Sequence, residues 1–243
     1  MLVKTESSSA HWYTKDGQAS HVRIGKNGKE RSTTVADARK EGLLPSVTTI
    51  IAQLHKPMLE RWKMEQMLLA SLTLPRLEGE PEADWIKRVV EDSRATGKDA
   101  MARGTEMHNF LELYFTGVYM INYPTYVTRT SALLTEYFGD QDWIAEESFA
   151  YNGYAGKVDL HSKKGIVVDF KTKESLEKAS VYDDHILQLS AYAYGLNMPN
   201  ARCAIVFVSD HDTKICEIEQ DDLELGYSKF LDLLSYFKKD KKL

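Results

Sequence analysis

Two short segments of alternating polarity, AGKVDLH at residues 155–161 and IVVDFKT at residues 166–172, constrain this chain most. The polar segment between them ends in glycine, which predicts a tight turn between two paired strands. Because side chains alternate between the two faces of a strand, Asp159, Asp169 and Lys171 would share one face, while apolar side chains would fill the other. Two carboxylates and an ammonium group on one face are costly to build for structure alone, so these strands are the first candidate for a functional site. Surface ion pairing is the structural alternative.

Length and composition are those of an ordinary globular protein. The 243 residues suit one large domain or a core domain with an added subdomain. No segment is long and apolar enough to span a membrane, and the first residues lack the apolar stretch of a signal peptide, so a cytoplasmic location is expected. The net charge of −5 argues against non-specific coating of polyanions, but local basic patches still permit contact with nucleic acid. Two cysteines, Cys203 and Cys216, are too few for an iron–sulfur cluster or a four-thiolate zinc site.

The first hundred residues read as a hairpin followed by helices. Aromatic and branched residues flank Asp16-Gly17 within residues 11–24, which is a hairpin signal. Pro45 and Ser46 indicate the start of a helix with Ser46 as its N-cap. Apolar residues at helical spacing predict further helices at 57–71 and 83–99. In the first of these helices the predicted core contacts are Met58, Leu59, Trp62, Met67 and Leu68.

A helix is also predicted from Asp99 to Gly117, and the boundary between an N-terminal region (1–98) and a core (99–243) is placed at its start. His108 lies at the edge of the apolar stripe of this helix. A histidine there is either a hydrogen-bonded core residue or a ligand, and both interpretations stay open at this point.

Two later elements carry polar residues of interest. A strand at about 143–151 places apolar side chains on one face and Glu146 on the other, although a one-residue bulge would exchange Glu146 with Glu147. A helix at 176–197 carries Gln188 and Tyr192 one turn apart, a pair that is usually solvated surface. Two strands near 201–210 and 213–220, and a helix ending at about Phe237, complete the chain.

The order of these motifs resembles the PD-(D/E)XK nuclease superfamily, in particular its RecB-like exonuclease branch, which includes phage exonucleases and the mitochondrial genome maintenance exonuclease. The resemblance covers about residues 100–220, and the LPSVTTI stretch around Ser46 also looks like phage members of this branch. It implies an α/β fold, with a mixed central sheet flanked by helices and a mainly helical N-terminal extension. The matching motifs are Arg103-Gly104-Thr105-x-x-His108, Gly156-x-x-Asp159, Asp169-Phe170-Lys171-Thr172 and Gln188-x-x-x-Tyr192.

The resemblance implies a metal-dependent DNA exonuclease that uses Mg²⁺ or Mn²⁺. By the family pattern, Asp159, Asp169, the backbone carbonyl of Phe170 and His108 would hold the metal. Lys171 would stabilise the attacking water. The supporting residues would be Glu146, Gln188 and Tyr192, with Glu147 as the alternative acid.

The same resemblance predicts DNA as the partner, preferably single-stranded or with a free end, in phage or bacterial recombination, replication or repair. Recombination or replication proteins are possible further partners, and the location would be the host cytoplasm for a phage protein. Some related groups hold an iron–sulfur cluster through four cysteines, which this chain does not have, so no cluster is expected. The N-terminal region would guide the strand, with phosphate contacts from Ser46, Thr48 and Arg103. A structure-specific endonuclease and a non-catalytic DNA-binding subunit of the same fold are the alternatives.

Overall fold

The computed structural model describes residues 10–243, which divide into two compact units. The first contains the residues up to Gln53 together with Phe110–Leu243, and the second is Leu54–Asn109. The predicted boundary at residue 99 lies inside a continuous helix, Ala95–Phe115, and the N-terminal residues up to Gln53 belong to the same unit as the sheet. Across residues 10–243, no helix combines the length and the apolar character needed to cross a membrane.

The first unit is built on a five-stranded mixed sheet, in agreement with the predicted α/β class. Its order is β5-β6-β7-β8-β9, with β7 and β8 parallel and the other neighbours antiparallel. The strands are β5 (Trp143–Tyr151), β6 (Tyr154–Ser162), β7 (Ile166–Thr172), β8 (Arg202–Val208) and β9 (Thr213–Ile218). A parallel pair needs a long crossover, and the helix α7 (Asp183–Gly195) lies in the connection between β7 and β8. Strand β8 is a nearly continuous apolar run, as expected for a strand buried on both faces, whereas β7 also carries the buried Asp169 and the partly exposed Lys171.

The hairpin of β5 and β6 is closed by Asn152 and Gly153, which both have positive φ values, 42° and 86°. This is the backbone that a two-residue turn of the primed type requires, and Asn-Gly is its preferred sequence. The predicted turn between β6 and β7 is confirmed, since Leu160, His161 and Ser162 pair with Val168, Val167 and Ile166.

The N-terminal residues of this unit form the predicted hairpin in a short version. The turn at Asp16-Gly17 is present and is followed by an antiparallel bridge between Tyr13 and Ala19. Strand β1 (Trp12–Tyr13) also pairs with β4 (Leu44–Pro45), and β2 (Val22–Ile24) pairs with β3 (Glu30–Ser32). The pairing of β1 with β4 was not predicted, because the two strands lie about thirty residues apart, beyond the reach of local turn signals.

Several further helices belong to the first unit. The predicted start at Ser46 is confirmed, since this residue caps α2. Helix α7 begins at Asp183, seven residues later than predicted, after Tyr182 in extended conformation. The other helices of the first unit are α1 (Val35–Glu41), α2 (Val47–Ile51), α6 (Thr125–Phe138) and α8 (Gln220–Lys241). Helix α5 (Ala95–Phe115) belongs to this unit from Phe110 onward.

The second unit contains α3 (Pro57–Thr73), α4 (Glu82–Ser93) and the first part of α5. The five predicted core contacts on α3 are wrong, because all of these side chains are exposed and Ala70 is the buried residue of this helix. Apolar residues occur around the whole circumference of α3, so one packed face cannot cover them all.

Candidate active site

The candidate site lies where β6 and β7 separate. Leu160 and Val168 form the last pair of their ladder, and the next opposed positions are Asp159 and Asp169. Directly opposed residues of an antiparallel pair point to the same face, as predicted for these two acids. One carboxylate oxygen of Asp159 accepts a hydrogen bond of 2.9 Å from the backbone N–H of Phe170. Beyond the last backbone pair, this side-chain hydrogen bond therefore continues the connection between β6 and β7 and holds the carboxylate of Asp159 against β7.

Asp169 is fully buried, and polar groups hold both of its oxygens. The ammonium group of Lys171 lies 2.7 Å from Oδ2, and the amide nitrogen of Gln188 donates to Oδ1 at 2.8 Å. The Gln188 carbonyl oxygen accepts from Lys171 at 3.1 Å, while its amide nitrogen also donates to the Tyr192 hydroxyl at 2.9 Å. Gln188 thus joins the acid, the cation and the phenol into one network. Both Gln188 and Tyr192 are buried, which excludes the alternative of a solvated surface pair.

The charges of this network set the protonation states of its members. Burial lowers the pKa of Lys171, but the negative charges of Asp169 and Asp159 outweigh it, so the pKa of this side chain is raised above its usual value. Burial raises the pKa of Tyr192 well above its usual value, and the same two carboxylates act in the same direction. Lys171 is consequently a cation and Tyr192 a neutral hydroxyl at physiological pH.

A tightly packed slot holds Tyr192 in place. Gly156 faces both Phe149 and Tyr192, and an added Cβ would approach their rings to 2.9 and 3.0 Å. At Gly195 an added Cβ would lie 2.5 Å or less from three ring carbons of Phe149. Glycine at these two positions therefore lets the Phe149 ring fit between β6 and α7, edge-on to Tyr192. The sequence contained a signal for this role, because Gln188, Tyr192 and Gly195 follow one another at helical spacing.

Glu146 and Glu147 flank Asp159 from the neighbouring strand without a described contact to Asp169 or Lys171. The pairing register is the same on both sides of Glu146, so no residue is inserted and the bulge considered for this strand is absent. Glu146 instead has a left-handed backbone, with φ of 57°, which is uncommon for a residue other than glycine. Glu146 pairs with Lys157, and Glu147 pairs with the buried His161. The choice between these acids as the supporting residue stays a prediction.

Ser46 and Thr48 lie at the start of α2. The Ser46 hydroxyl accepts from the backbone N–H of Thr49 at 3.0 Å and lies 3.0 Å from the Thr48 hydroxyl. Ser46 is buried and forms a parallel bridge to Ala155 of β6, whereas Thr48 is exposed. The capping role of Ser46 is thereby confirmed, and the role of both residues in phosphate binding stays a prediction.

His108 and Arg103 belong to the second unit, on α5. His108 is half-buried and Arg103 is exposed. Their roles, as a metal ligand and as a phosphate contact, stay predictions.

The first unit contains oxygen donors that are candidates for holding a metal ion. The carboxylates of Asp159 and Asp169 and the carbonyl of Phe170 are oxygen donors of the kind that Mg²⁺ and Mn²⁺ prefer. The described residues, 10–243, contain no group of three or more His, Cys, Asp and Glu side chains arranged to hold a metal ion. These oxygen donors are chemically suited to a hard divalent cation. In this structure the ammonium group of Lys171 compensates the negative charge of Asp169.

Comparisons with solved structures give partial similarities at low sequence identity. No protein-family model matches the chain, and no curated protein matches it at a significant level. The crystal structure of SSO0001 covers 72% of this chain and 86% of its own length, with 13% identity and a TM-score of 0.31. That of an alkaline exonuclease from Laribacter hongkongensis covers 74% of this chain and 97% of its own length, with 11% identity and a TM-score of 0.34. At such TM-scores these similarities assign neither a fold family nor an activity, and the function is argued from the site itself.

Proposed function

We propose that this chain is a metal-dependent deoxyribonuclease of the PD-(D/E)XK type, which hydrolyses phosphodiester bonds from single-stranded ends or flaps. One observation carries the proposal. Two carboxylates face each other where two strands separate, with an ammonium group 2.7 Å from one of them. The motifs that resemble the RecB-like exonuclease branch include these same three residues, Asp159, Asp169 and Lys171.

The chain's own residues suit the hydrolysis of a phosphodiester. Asp159, Asp169, the carbonyl of Phe170 and His108 would hold Mg²⁺ or Mn²⁺, which supplies Lewis acidity toward the phosphate and a lowered pKa for a water molecule. Gln188 and the Phe170 N–H hold the two carboxylates in fixed orientations, so little reorganisation is needed when charge develops.

Lys171 acts in this proposal as a fixed positive charge. Its ammonium group, 2.7 Å from Asp169, would stabilise negative charge on the attacking oxygen or the phosphate, and because the metal lowers the pKa of its bound water, Lys171 need not be a strong base. Its hydrogen bond to Gln188 directs the ammonium group toward the same face as the acids.

The proposal is tested with the purified chain, end-labelled single-stranded DNA, and Mg²⁺ or Mn²⁺. We expect shortening of the labelled strand by the wild type and no cleavage by Asp169→Asn, whose circular dichroism spectrum is compared with that of the wild type to establish folding. Absence of cleavage by the wild type, or full activity of the folded variant, contradicts the proposal. Covalently closed circular single-stranded DNA separates the two catalytic alternatives, because only an endonuclease cuts it.

A role in phage or bacterial DNA recombination, replication or repair follows from this activity as part of the same proposal. A non-catalytic DNA-binding subunit is the competing function. The retention of Asp159, Asp169 and Lys171 in one charged cluster argues against it, because a subunit without turnover does not need their convergence.

A further inference from the structure

A pocket of about 250 Å³ lies in the first unit, apart from the two acids of the candidate active site. Three cationic side chains line it, and no acidic side chain does. They are Arg39 from α1 and Lys238 and Lys242 from the end of α8. Leu43, Leu44 and Pro45 supply its apolar wall. A concave wall with three cationic side chains and no acidic side chain is suited to an anion.

The acids closest in sequence do not neutralise these cations. Glu41 forms a bidentate ion pair with Arg23, and Asp240 pairs with Lys241 at 2.7 Å. Among residues 10–243, no carboxylate forms an ion pair with Arg39, Lys238 or Lys242. Like charges that converge repel one another, and a bound anion relieves that repulsion.

Capping of α8 explains one of the three cations and leaves the other two. The Nε of Arg39 donates to the carbonyl of Lys241 at 2.7 Å, which is a favourable contact at the C-terminus of a helix. Lys238 instead extends to the turn of the β5–β6 hairpin, where its Cε lies 3.0 Å from the position of a Cβ built on Gly153. The absence of a side chain at Gly153 makes room for this ammonium group at the pocket wall.

The pocket also lies at a useful distance from the candidate active site. Gly153 precedes Asp159 by six residues, and at about 3.3 Å per residue this corresponds to roughly 20 Å along the hairpin. Even at the 3.4 Å per phosphate of a strand within duplex DNA, a single strand of about 20 nucleotides is longer than this distance. A strand whose phosphate occupies the active site is long enough to place another phosphate in the pocket.

We propose that this pocket, formed by Arg39, Lys238 and Lys242, binds a backbone phosphate of the nucleic-acid strand that is being cleaved. The inference rests on the proposed nuclease function and adds a phosphate-binding site to it. Lysine and arginine both bind phosphate oxygens, and the contact would position the strand without reading its sequence.

The test compares DNA binding by the wild type and by the variant that combines Lys238→Gln with Lys242→Gln. Affinity for a single strand of about 20 nucleotides is measured in EDTA over a series of salt concentrations, so that binding is followed without cleavage. We expect weaker binding by the variant and a slope of log K against log salt that is smaller by about 0.7 to 0.9, the value for one phosphate contact. The control is Lys229→Gln, an exposed lysine of α8 outside the pocket, which should leave the slope unchanged.

Two further arms separate the possible outcomes. One arm measures the affinity of a strand of about 20 nucleotides, and the other measures the binding of inorganic phosphate. An unchanged slope for the long strand contradicts the pocket assignment, as does an effect of the same size with Lys229→Gln. Binding of inorganic phosphate that depends on Lys238, combined with unchanged strand affinity, overturns the strand in favour of a free anion. If the wild type binds and cleaves the long strand and the double variant binds it with the same affinity, only the pocket inference fails. If the wild type neither binds nor cleaves the long strand, the nuclease proposal is contradicted.

Discussion

The substitution Gly195→Ala tests the slot that holds Tyr192, because two opposing effects meet at this residue. Gly195 is the last residue of α7, and replacing a helical glycine with alanine stabilises a helix by up to about 1 kcal/mol. At this position the new methyl group would lie 2.5 Å or less from three carbons of the Phe149 ring. Atoms in contact are normally about 3.5–4.0 Å apart, so the ring must move by roughly 1 Å or more.

The Phe149 ring has little freedom to make that movement. It is buried and packs against Tyr154 and Tyr192, and the Gly156 side of the slot has no spare space. Overpacking of a well-filled core costs about 1–3 kcal/mol, which exceeds the gain in helix propensity. We therefore expect Gly195→Ala to lower the free energy of unfolding by about 1–2 kcal/mol. Displacement of Tyr192 should also disturb Gln188 and lower the cleavage rate.

The assay is urea unfolding followed by circular dichroism, with Gly97→Ala as the matched control. Gly97 is also a helical glycine, but its added Cβ would meet Trp62 at an ordinary 3.6 Å, so this variant should be as stable as the wild type or more stable. Adding Phe149→Leu to Gly195→Ala should restore part of the lost stability, because the smaller side chain vacates the space that the methyl group needs. A stability gain in Gly195→Ala equal to that in Gly97→Ala would refute the reasoning about the slot.

Three further predictions follow from the site and its supports. Gln188→Leu should weaken Mn²⁺ binding by about 10–100-fold, because it removes the hydrogen bond that orients Asp169. Electron paramagnetic resonance titration measures the Mn²⁺ affinity. An unchanged affinity would count against the role of Gln188 in orienting Asp169. The pKa of Lys171 is raised in the folded protein, so its contribution to stability is complete below the unfolded pKa of about 10.4 and is lost as the pH rises through the higher folded value. The wild type should therefore lose its stability advantage over Lys171→Gln at strongly alkaline pH. A stability difference that stays constant there is the contrary result. Ser46→Ala should lower the free energy of unfolding by about 1 kcal/mol through loss of the α2 cap, and Ser46→Thr, which keeps the hydroxyl, should lose less; equal losses would argue against a capping role.

Local patterns in the sequence were sufficient to predict the centre of the site. Alternation and the glycine-ended turn predict the pairing of β6 with β7, and that pairing brings Asp159 and Asp169 opposite each other. The cap at Ser46 was also predictable, because N-capping depends on residues only three positions apart. Asn152-Gly153 is an equally local signal, which predicts the β5–β6 hairpin.

Features that depend on distant packing were not predictable in the same way. The pairing of β1 with β4 joins residues about thirty positions apart, and two-residue strands have no periodicity to reveal them. The left-handed backbone of Glu146 is maintained by its surroundings and opposes the preference of the residue itself. Burial of Gln188 and Tyr192 depends on α7 lying against the sheet, which a pattern of polar residues on a helix does not show.

The most direct test of the account is the single-turnover cleavage rate of Lys171→Gln, with Lys163→Gln as the control. Both substitutions remove one positive charge from the same pair of strands, but Lys163 is exposed in the turn between β6 and β7, away from the acids. The account predicts that Lys171→Gln lowers the cleavage rate by at least about 100-fold, as the loss of a fixed transition-state contact does, while Lys163→Gln stays near the wild-type rate. Equal rates for the two folded variants would contradict the assignment of Asp159, Asp169 and Lys171 as the active site.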